Sequence, residues 1–169
     1  MSDASRADIV AWRAVPGKDP VRALSGSGGL RGSGRWHSKG RPVVYLASVP
    51  SLAMLEVLAN VGAQQLLALD YHLMRVTFPA TAVDRLPLTE LPAGWNAPAR
   101  SAATMLIGDA WLGAGHNLAL QVPSALVPLE VTDTEHNYVL NPLHARRATV
   151  TQVLPLPFDA RLKASNTAS

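Results

Sequence analysis

Three side chains with catalytic potential stand close together in the first third of the chain. Glu56 follows Tyr45 by 11 residues, and Arg35 precedes Tyr45 by ten. A guanidinium can bind a pyrophosphate, an aromatic ring can stack on nicotinamide, and a carboxylate can stabilise an oxocarbenium ion when a glycosidic bond breaks. The set therefore fits a dinucleotide such as NAD. Glu56 also fits a structural carboxylate paired with an arginine, and Arg35 fits a solvated loop charge.

Other chemistries are excluded by motifs that the sequence lacks. The chain has no cysteine, which removes thiolate zinc sites, redox pairs and a cysteine nucleophile. Its glycine-rich stretch is neither a dinucleotide fingerprint nor a P-loop, since Arg31 follows Gly28 by three residues and His37 follows Gly34 by three. The sequence also lacks an HExxH motif and a GxSxG elbow, so we expect no metal and no hydrolase serine.

The charge pattern adds a second clue. Of the 15 basic residues 12 are arginine, and no acidic residue occurs between Asp19 and Glu56. Five basic residues lie in that interval: Arg22, Arg31, Arg35, Lys39 and Arg41. Such a local field suits either a nucleic-acid surface or a small anion pocket. The low aromatic content of 5% offers few stacking platforms for bases, and the nearby Tyr45 and Glu56 favour the pocket. Arg22, Arg31, Lys39 and Arg41 are each interpreted as a solvated loop face, with one of them a candidate for contacting a ligand.

The residues must be positioned by a sheet with few helices. The hydrophobic pattern predicts strands at 9–15, 43–47, 73–78, 83–86, 118–122, 138–140 and 150–154. It predicts helices at 52–61, capped from 48–51, and at 99–112, with Pro98 at an early position and Gly113 and Gly115 at the end. The segment 18–42 is predicted to have little regular structure. Strands outnumber helices without alternating with them, so we expect an α+β fold with a mixed, mainly antiparallel sheet.

The length of 169 residues and the 48% hydrophobic content indicate one domain with a single core. We place this domain at 9–158, between a flexible N-terminus (1–8) and a C-terminal tail (159–169). The first residues are polar and mixed in charge, and no apolar run reaches the length of a membrane span. The sequence therefore predicts a cytoplasmic protein without membrane contact.

Six blocks occur in a recognisable order along the chain. They are Trp12-Arg13, Gly32-Ser33-Gly34-Arg35-Trp36, Pro42-Val43-Val44-Tyr45-Leu46-Ala47, Ala53-Met54-Leu55-Glu56, Val122-Pro123-Ser124-Ala125 and Asn137-Tyr138-Val139-Leu140-Asn141-Pro142-Leu143-His144. Together they resemble the RES domain family, named for its Arg, Glu and Ser, over about residues 9–144. The resemblance implies an ADP-ribosyltransferase-like fold and a toxin of a RES-Xre type II toxin-antitoxin system.

The resemblance also implies that NAD is the substrate and assigns roles to four residues. Glu56 becomes the catalytic carboxylate, which orients the ribose hydroxyls and stabilises positive charge as nicotinamide leaves. Arg13 and Arg35 would lie on the pyrophosphate or ribose side, with Arg35 also counted as catalytic. Tyr45 would stack near the nicotinamide as a third catalytic residue, and no metal is implied.

The same resemblance assigns roles to two further residues, and the chain departs from the family pattern at one position. Ser124 and Asn141 would hold the ligand, or the loop around it, by hydrogen bonds. Many relatives carry an aromatic residue directly after the first arginine, whereas this chain has Ala14. Trp12 or Trp36 is a candidate to supply the missing ring.

The family also implies a partner. An Xre-like helix-turn-helix antitoxin would occlude the active site in a hetero-oligomer that contains two toxins, and DNA would be contacted only through the antitoxin. The acceptor of ADP-ribose stays open between water, phosphate and a protein side chain. The alternative functions are an ADP-ribosyltransferase that modifies a specific cellular protein and, from another class, a nucleic-acid-binding module.

Overall fold

A computed structural model describes residues 7–61, 63–99, 101–159 and 161. Seven strands form one sheet in the order β4-β5-β6-β2-β1-β3-β7. Their bounds are β1 Asp8–Pro16, β2 Val44–Ala47, β3 Tyr71–Pro79, β4 Val83–Arg85, β5 Ala119–Pro123, β6 His136–Leu140 and β7 Thr149–Pro155. In the described part of the chain, β4 and β5 pair in parallel and all other neighbours pair antiparallel. The predicted fold class is confirmed.

Two of the helices cover one face of this sheet. The helices are α1 Pro20–Ala23, α2 Pro50–Asn60, α3 Ala63–Ala68 and α4 Ala102–Ala114. Leu52 of α2 packs with Ala47 of β2, and Leu112 of α4 packs in the cluster against which Tyr45 of β2 lies. Residues two apart in a strand point to the same face, so α2 and α4 lie on the same face of the sheet. The opposite face is buried by a cluster that includes Val44, Val76, Phe78 and Leu140.

The sheet opens between β1 and β2. Along β1 and β3 every residue from Asp8 to Pro16 is in register with a partner. Between β1 and β2 only one pair, Trp12 with Ala47, is in register in the described chain. Beyond this pair the two strands separate, and the side chains next to it border a gap instead of a continuous ladder.

The glycine-rich segment is more regular than predicted. Asp19 caps α1 by accepting a hydrogen bond from the Val21 N–H at 2.9 Å, and a 3-10 turn spans Ser27–Leu30. A Cβ atom at Gly29 would lie 2.1 Å from the Arg41 carbonyl oxygen, so the absence of a side chain permits this close backbone approach. The prediction of little regular structure over 18–42 is therefore wrong for these two turns, which pack beside the start of β2.

The ends of the helices differ from the predicted ones. The serines around α2 do not cap it: Val49 is the N-cap residue, and the Ser48 hydroxyl donates to the Thr134 carbonyl. Helix α4 begins after Ser101, whose hydroxyl accepts the Ala103 N–H at 3.2 Å, and not near Pro98. The Ser101 side chain satisfies a backbone N–H that has no partner within the helix, which accounts for the start at this position. Of the two glycines predicted at the end of α4, Gly115 is confirmed as the C-cap in the left-handed conformation, whereas Gly113 lies inside the helix.

Helix α3 has no counterpart among the predicted elements, because the apolar composition of α2 continues into it. The remaining predictions on the termini concern segments that are described only in part. Residues 1–6 and 162–169 lie outside the described chain, and Asp8 belongs to β1.

Candidate active site

A cavity of about 650 Å³ lies where β1 and β2 separate, bounded by the glycine-rich segment and by α2. Four of the six predicted site residues line it: Arg13, Arg35, Tyr45 and Glu56. Trp12 also lines it, as does Trp36, which is otherwise buried in the core beside Trp95. The fold therefore brings the predicted cations, ring and carboxylate to one cavity.

Glu56 lies in the middle of α2 and is half-buried at the wall of the cavity. Its Oε1 atom accepts two hydrogen bonds, from the Ser124 hydroxyl at 2.9 Å and from the Asn137 side-chain amide at 2.5 Å. The Ser124 oxygen in turn accepts the Leu126 N–H at 3.1 Å. Both donors are buried, so the carboxylate is fixed on one side by groups that have little freedom of their own.

The two polar residues predicted to hold the ligand or its loop have different surroundings. Ser124 follows the end of β5, is 1% exposed, and contacts Glu56 without lining the cavity itself. Asn141 caps the 3-10 turn after β6 by accepting the Leu143 N–H, and its amide donates to the Leu112 carbonyl at 3.3 Å. Asn141 thus joins β6 to the end of α4, and the structure does not bring it to the cavity.

Arg13 places a cation where β1 leaves its partner strand. Its guanidinium donates to the Ala23 carbonyl of α1. Burial lowers the pKa of Arg13 to about 10, so the side chain still carries its charge at neutral pH. No carboxylate of the described residues forms an ion pair with it. A half-buried cation without a carboxylate partner is well suited to binding an anion.

Arg35 closes the glycine-rich segment and holds the opposite rim of the cavity. Its guanidinium donates to the Trp95 carbonyl and, at 3.1 Å, to the Ala97 carbonyl. The neighbouring Asn96 and Pro98 line the cavity. Arg35 therefore positions the 95–98 turn as well as contributing a guanidinium to the cavity wall.

Tyr45 is held by its hydroxyl group. The oxygen accepts the Trp36 N–H at 3.2 Å and lies 2.8 Å from His37 Nδ1. Nε2 of His37 lies 2.9 Å from the Gly32 carbonyl, which can only accept, so Nε2 carries a proton. In the neutral form of the ring, Nδ1 then accepts from the Tyr45 hydroxyl. A Cβ atom at Gly34 would lie 2.6 Å from the His37 ring and 2.7 Å from the Tyr45 hydroxyl oxygen, which explains the glycine there. The tyrosine is thus fixed by the same segment that carries Arg35.

Sequence reasoning missed two residues of this arrangement, Asn137 and His37. Asn137 was visible only as part of a block, because its contact with Glu56 depends on the register that pairs it with Ala47. An asparagine that interrupts an apolar strand is the one signal that could have identified it. His37 could have been suspected from its position two residues after Arg35, since a short loop keeps such neighbours near one site.

Two general properties of the described chain complete the description. Its His, Asp and Glu residues form no group of three or more that could hold a metal ion. Within the same residues, no helix is long and apolar enough to cross a membrane.

Comparison with known proteins finds relatives that are all named as toxins. A Toxin Res of Photorhabdus laumondii is 42% identical over 135 residues, which cover 80% of this chain and 83% of that protein. A Toxin Res of Yersinia enterocolitica is 37% identical over 158 residues, 92% of this chain and 100% of that protein. A Prs ADP-ribosylating toxin of Sphingobium sp. is 31% identical over 124 residues, 72% of this chain and 73% of that protein.

A solved structure shares the fold. The Mycobacterium tuberculosis MbcT-MbcA toxin-antitoxin complex contains a chain that matches with a TM-score of 0.69 and 21% identity, over 89% of this chain and 85% of that one. The family model described as the RES domain matches residues 10–159, which include all seven strands apart from the first residues of β1, together with the whole cavity. The chain therefore belongs to the RES domain family, and the two Toxin Res proteins are its relatives.

Proposed function

We propose that this chain is the toxin of a toxin-antitoxin pair and that it cleaves the bond between nicotinamide and ribose in NAD. One observation carries the proposal: a single cavity holds the half-buried cation of Arg13, without a carboxylate partner among the described residues, and the anchored carboxylate of Glu56. NAD presents a pyrophosphate anion and a reacting ribose, and the cavity offers a cation for the first and a carboxylate for the second.

The chemistry requires a stabilised cation. When the bond from the ribose C1′ atom to nicotinamide breaks, its electron pair leaves with nicotinamide, which becomes neutral, and positive charge develops on the ribose. The carboxylate of Glu56 stabilises that charge, while Arg13 and Arg35 bind the pyrophosphate and the Tyr45 ring orients the nicotinamide. The nucleophile that then attacks C1′ completes the reaction and determines the product.

The test measures nicotinamide release from NAD by the purified chain, free of antitoxin. We expect Glu56→Gln and Arg35→Ala each to lower the rate by about 10²–10³-fold, the range for removing one preorganised electrostatic group. Glu90→Gln and Arg146→Ala, at exposed positions away from the cavity, are the matched controls and should keep the wild-type rate. Equal rates in the wild type and both site variants would refute the assignment.

Transfer of ADP-ribose to a protein is the second candidate, favoured by the name of one relative, the Prs ADP-ribosylating toxin. The two outcomes share the bond cleavage and differ in the acceptor. Mass spectrometry of products made with and without phosphate distinguishes them: free ADP-ribose indicates hydrolysis, its phosphate indicates phosphorolysis, and an ADP-ribosylated protein in a cell extract indicates transfer.

We also propose that an Xre-like antitoxin covers the cavity in an assembly with two copies of this chain. The support is the structural neighbour, which was solved as a toxin-antitoxin complex. An antitoxin segment with a carboxylate would complement Arg13 and Arg35. Deleting the C-terminal end of the antitoxin should restore NAD loss in cells that express both proteins, and unchanged protection would refute this mode of inhibition.

A further inference from the structure

We infer that Ser124 and Asn137 divide the carboxylate of Glu56 into an anchored oxygen, Oε1, and a reacting oxygen, Oε2, which makes Asn137 a positioning residue. The inference rests on the proposed function, because it assigns the oxygen that meets the ribose in the same cavity. It also gives Ser124 a role that acts through Glu56 and involves no contact with the ligand.

The first step of the argument is the distribution of hydrogen bonds on Glu56. Both buried donors, the Ser124 hydroxyl and the Asn137 amide, converge on Oε1. No described residue donates a hydrogen bond to Oε2. Because Glu56 lines the cavity, Oε2 is the oxygen left for a ligand.

The second step is that both donors are oriented. The Leu126 N–H donates to the Ser124 oxygen, so the hydroxyl proton is directed at Glu56. Exchanging the oxygen and nitrogen of Asn137 would bring two acceptors into contact, so its amide can only donate to a carboxylate. The orientation leaves Asn137 Oδ1 buried without a partner among the described residues, an unfavourable state for an acceptor. An apolar residue would avoid that state, which indicates that the amide serves Glu56 and not packing alone.

The third step concerns how the two hydrogen bonds to Oε1 restrict the motion of the Glu56 carboxylate. A glutamate on a helix has several rotatable bonds, and an unanchored carboxylate would exchange its two oxygens and sample several rotamers. With Oε1 fixed, Oε2 keeps one position relative to the ribose while charge develops on C1′. Catalysis by such a group depends on its position, so a small displacement is expected to lower kcat far more than it raises KM.

The experiment compares nicotinamide release by Ser124→Ala and Asn137→Leu with the wild type. We expect kcat to fall by about 10–100-fold in each variant with KM changed by less than about threefold, and Ser124→Thr to recover most of the loss. Ser48→Ala is the matched control, since Ser48 also follows a strand and bonds backbone groups, at 2.9 Å and 3.0 Å, but does not line the cavity. Melting temperatures identify variants that fail to fold. If Asn137→Leu fails to fold, Asn137→Ser is measured in its place.

A double-mutant cycle separates positioning from a structural role. Residual nicotinamide release by Glu56→Gln, measured with excess enzyme, should not fall further when Ser124→Ala or Asn137→Leu is added, because both act through the carboxylate. An additional loss equal to that seen in the wild-type background would overturn the inference. So would wild-type kcat in both single variants alongside an inactive Glu56→Gln. Absence of nicotinamide release from the wild-type protein would instead refute the proposed function.

Discussion

At the scale of single residues, the cavity keeps a cation and an anion from neutralising each other. Arg13 donates to a backbone carbonyl, and Glu56 accepts from a hydroxyl and an amide, so in the described structure each charge is held by neutral groups. Neutral partners fix a charged side chain in place without cancelling its field. The field therefore remains available to a bound ligand, which distinguishes this arrangement from a structural ion pair.

Tyr45 allows a prediction that separates its hydroxyl from its ring. Tyr45→Phe removes the hydroxyl that bonds Trp36 and His37, and we expect the free energy of unfolding to fall by about 1 kcal/mol. Tyr45→Leu also removes the ring, and the KM for NAD should then rise by about tenfold if one stacking contact is lost. Urea unfolding and nicotinamide release measure the two effects.

The control for this pair is Tyr71→Phe. Tyr71 is buried against Phe158, and its hydroxyl donates no hydrogen bond to the described residues, so we expect little change in stability or KM. A wild-type KM in Tyr45→Leu would contradict the role of the ring, and a Tyr45→Phe as stable as Tyr71→Phe would contradict that of the hydroxyl.

At the scale of elements, local signals predicted all seven strands and two of the helices, but not what depends on contacts between distant segments. β-rich runs marked β2 and β3, and the apolar stretch marked α2. The start of α4 was misplaced because Ser101 competes with Pro98 as a start signal, and only the three-dimensional structure shows which residue caps the helix. Short α3 follows α2 too closely to be separated by composition.

At the site, too, local signals did not predict the contacts between residues distant in sequence. Glu56 was predictable because a carboxylate in an apolar helix needs a reason, and Arg35 because it closes a glycine-rich stretch. Asn137 was not, because its contact depends on a strand register that brings residues 81 apart in sequence together. Asn141 was expected at the ligand or its loop from the family pattern, whereas its side chain caps a turn away from the cavity.

Helix α4 supports the segment that carries Arg35, and its two interior glycines test this. A Cβ atom at Gly108 would lie 1.8 Å from the Trp36 carbonyl oxygen, whereas at Gly113 the nearest atom lies 3.8 Å away, at the end of the Arg41 side chain. We expect Gly108→Ala to destabilise the fold by about 1–3 kcal/mol through overpacking. Gly113→Ala should stabilise it by about 0.5–1 kcal/mol through helix propensity.

Urea unfolding of the two alanine variants measures both changes. Gly108→Ala should also lower nicotinamide release in its folded fraction, because the displaced Trp36 backbone donates to Tyr45. Equal stability of the two variants would show that α4 does not hold this segment.

At the scale of the whole molecule, the cavity and a buried polar group lie at neighbouring strands of the sheet, β2 and β6. The cavity lies between β1 and β2, whereas at the start of β6 the polar side chains of His136 and Tyr138 are buried. There His136 Nδ1 lies 2.8 Å from the Thr132 carbonyl and Nε2 lies 2.8 Å from the Tyr138 hydroxyl, which fixes the neutral ring with its proton on Nδ1. The sheet thus combines a buried, hydrogen-bonded start of β6 with a cavity that Glu56 and Arg13 line.

The buried histidine makes the stability of the fold depend on pH. Burial lowers the pKa of His136 from its ordinary 6.5, and Arg85 lowers it further, while the Thr132 carbonyl and Asp133 raise it. Below pH 6.5, His136 binds a proton in the unfolded chain but not yet in the folded one. The stability that the neutral His136 contributes is therefore complete above pH 6.5 and is lost as the pH falls towards the folded pKa. The loss should approach about 1.4 kcal/mol per pH unit in that interval.

Urea unfolding at about pH 7.5 and about pH 5.5 measures the slope. The double variant His136→Leu with Tyr138→Phe removes the titrating ring and the hydroxyl that bonds it, and the fall in stability between the two pH values should be smaller than in the wild type. His116→Asn, at an exposed position, should keep the wild-type slope. If the double variant also keeps the wild-type slope, other groups cause the pH dependence and His136 is not its source.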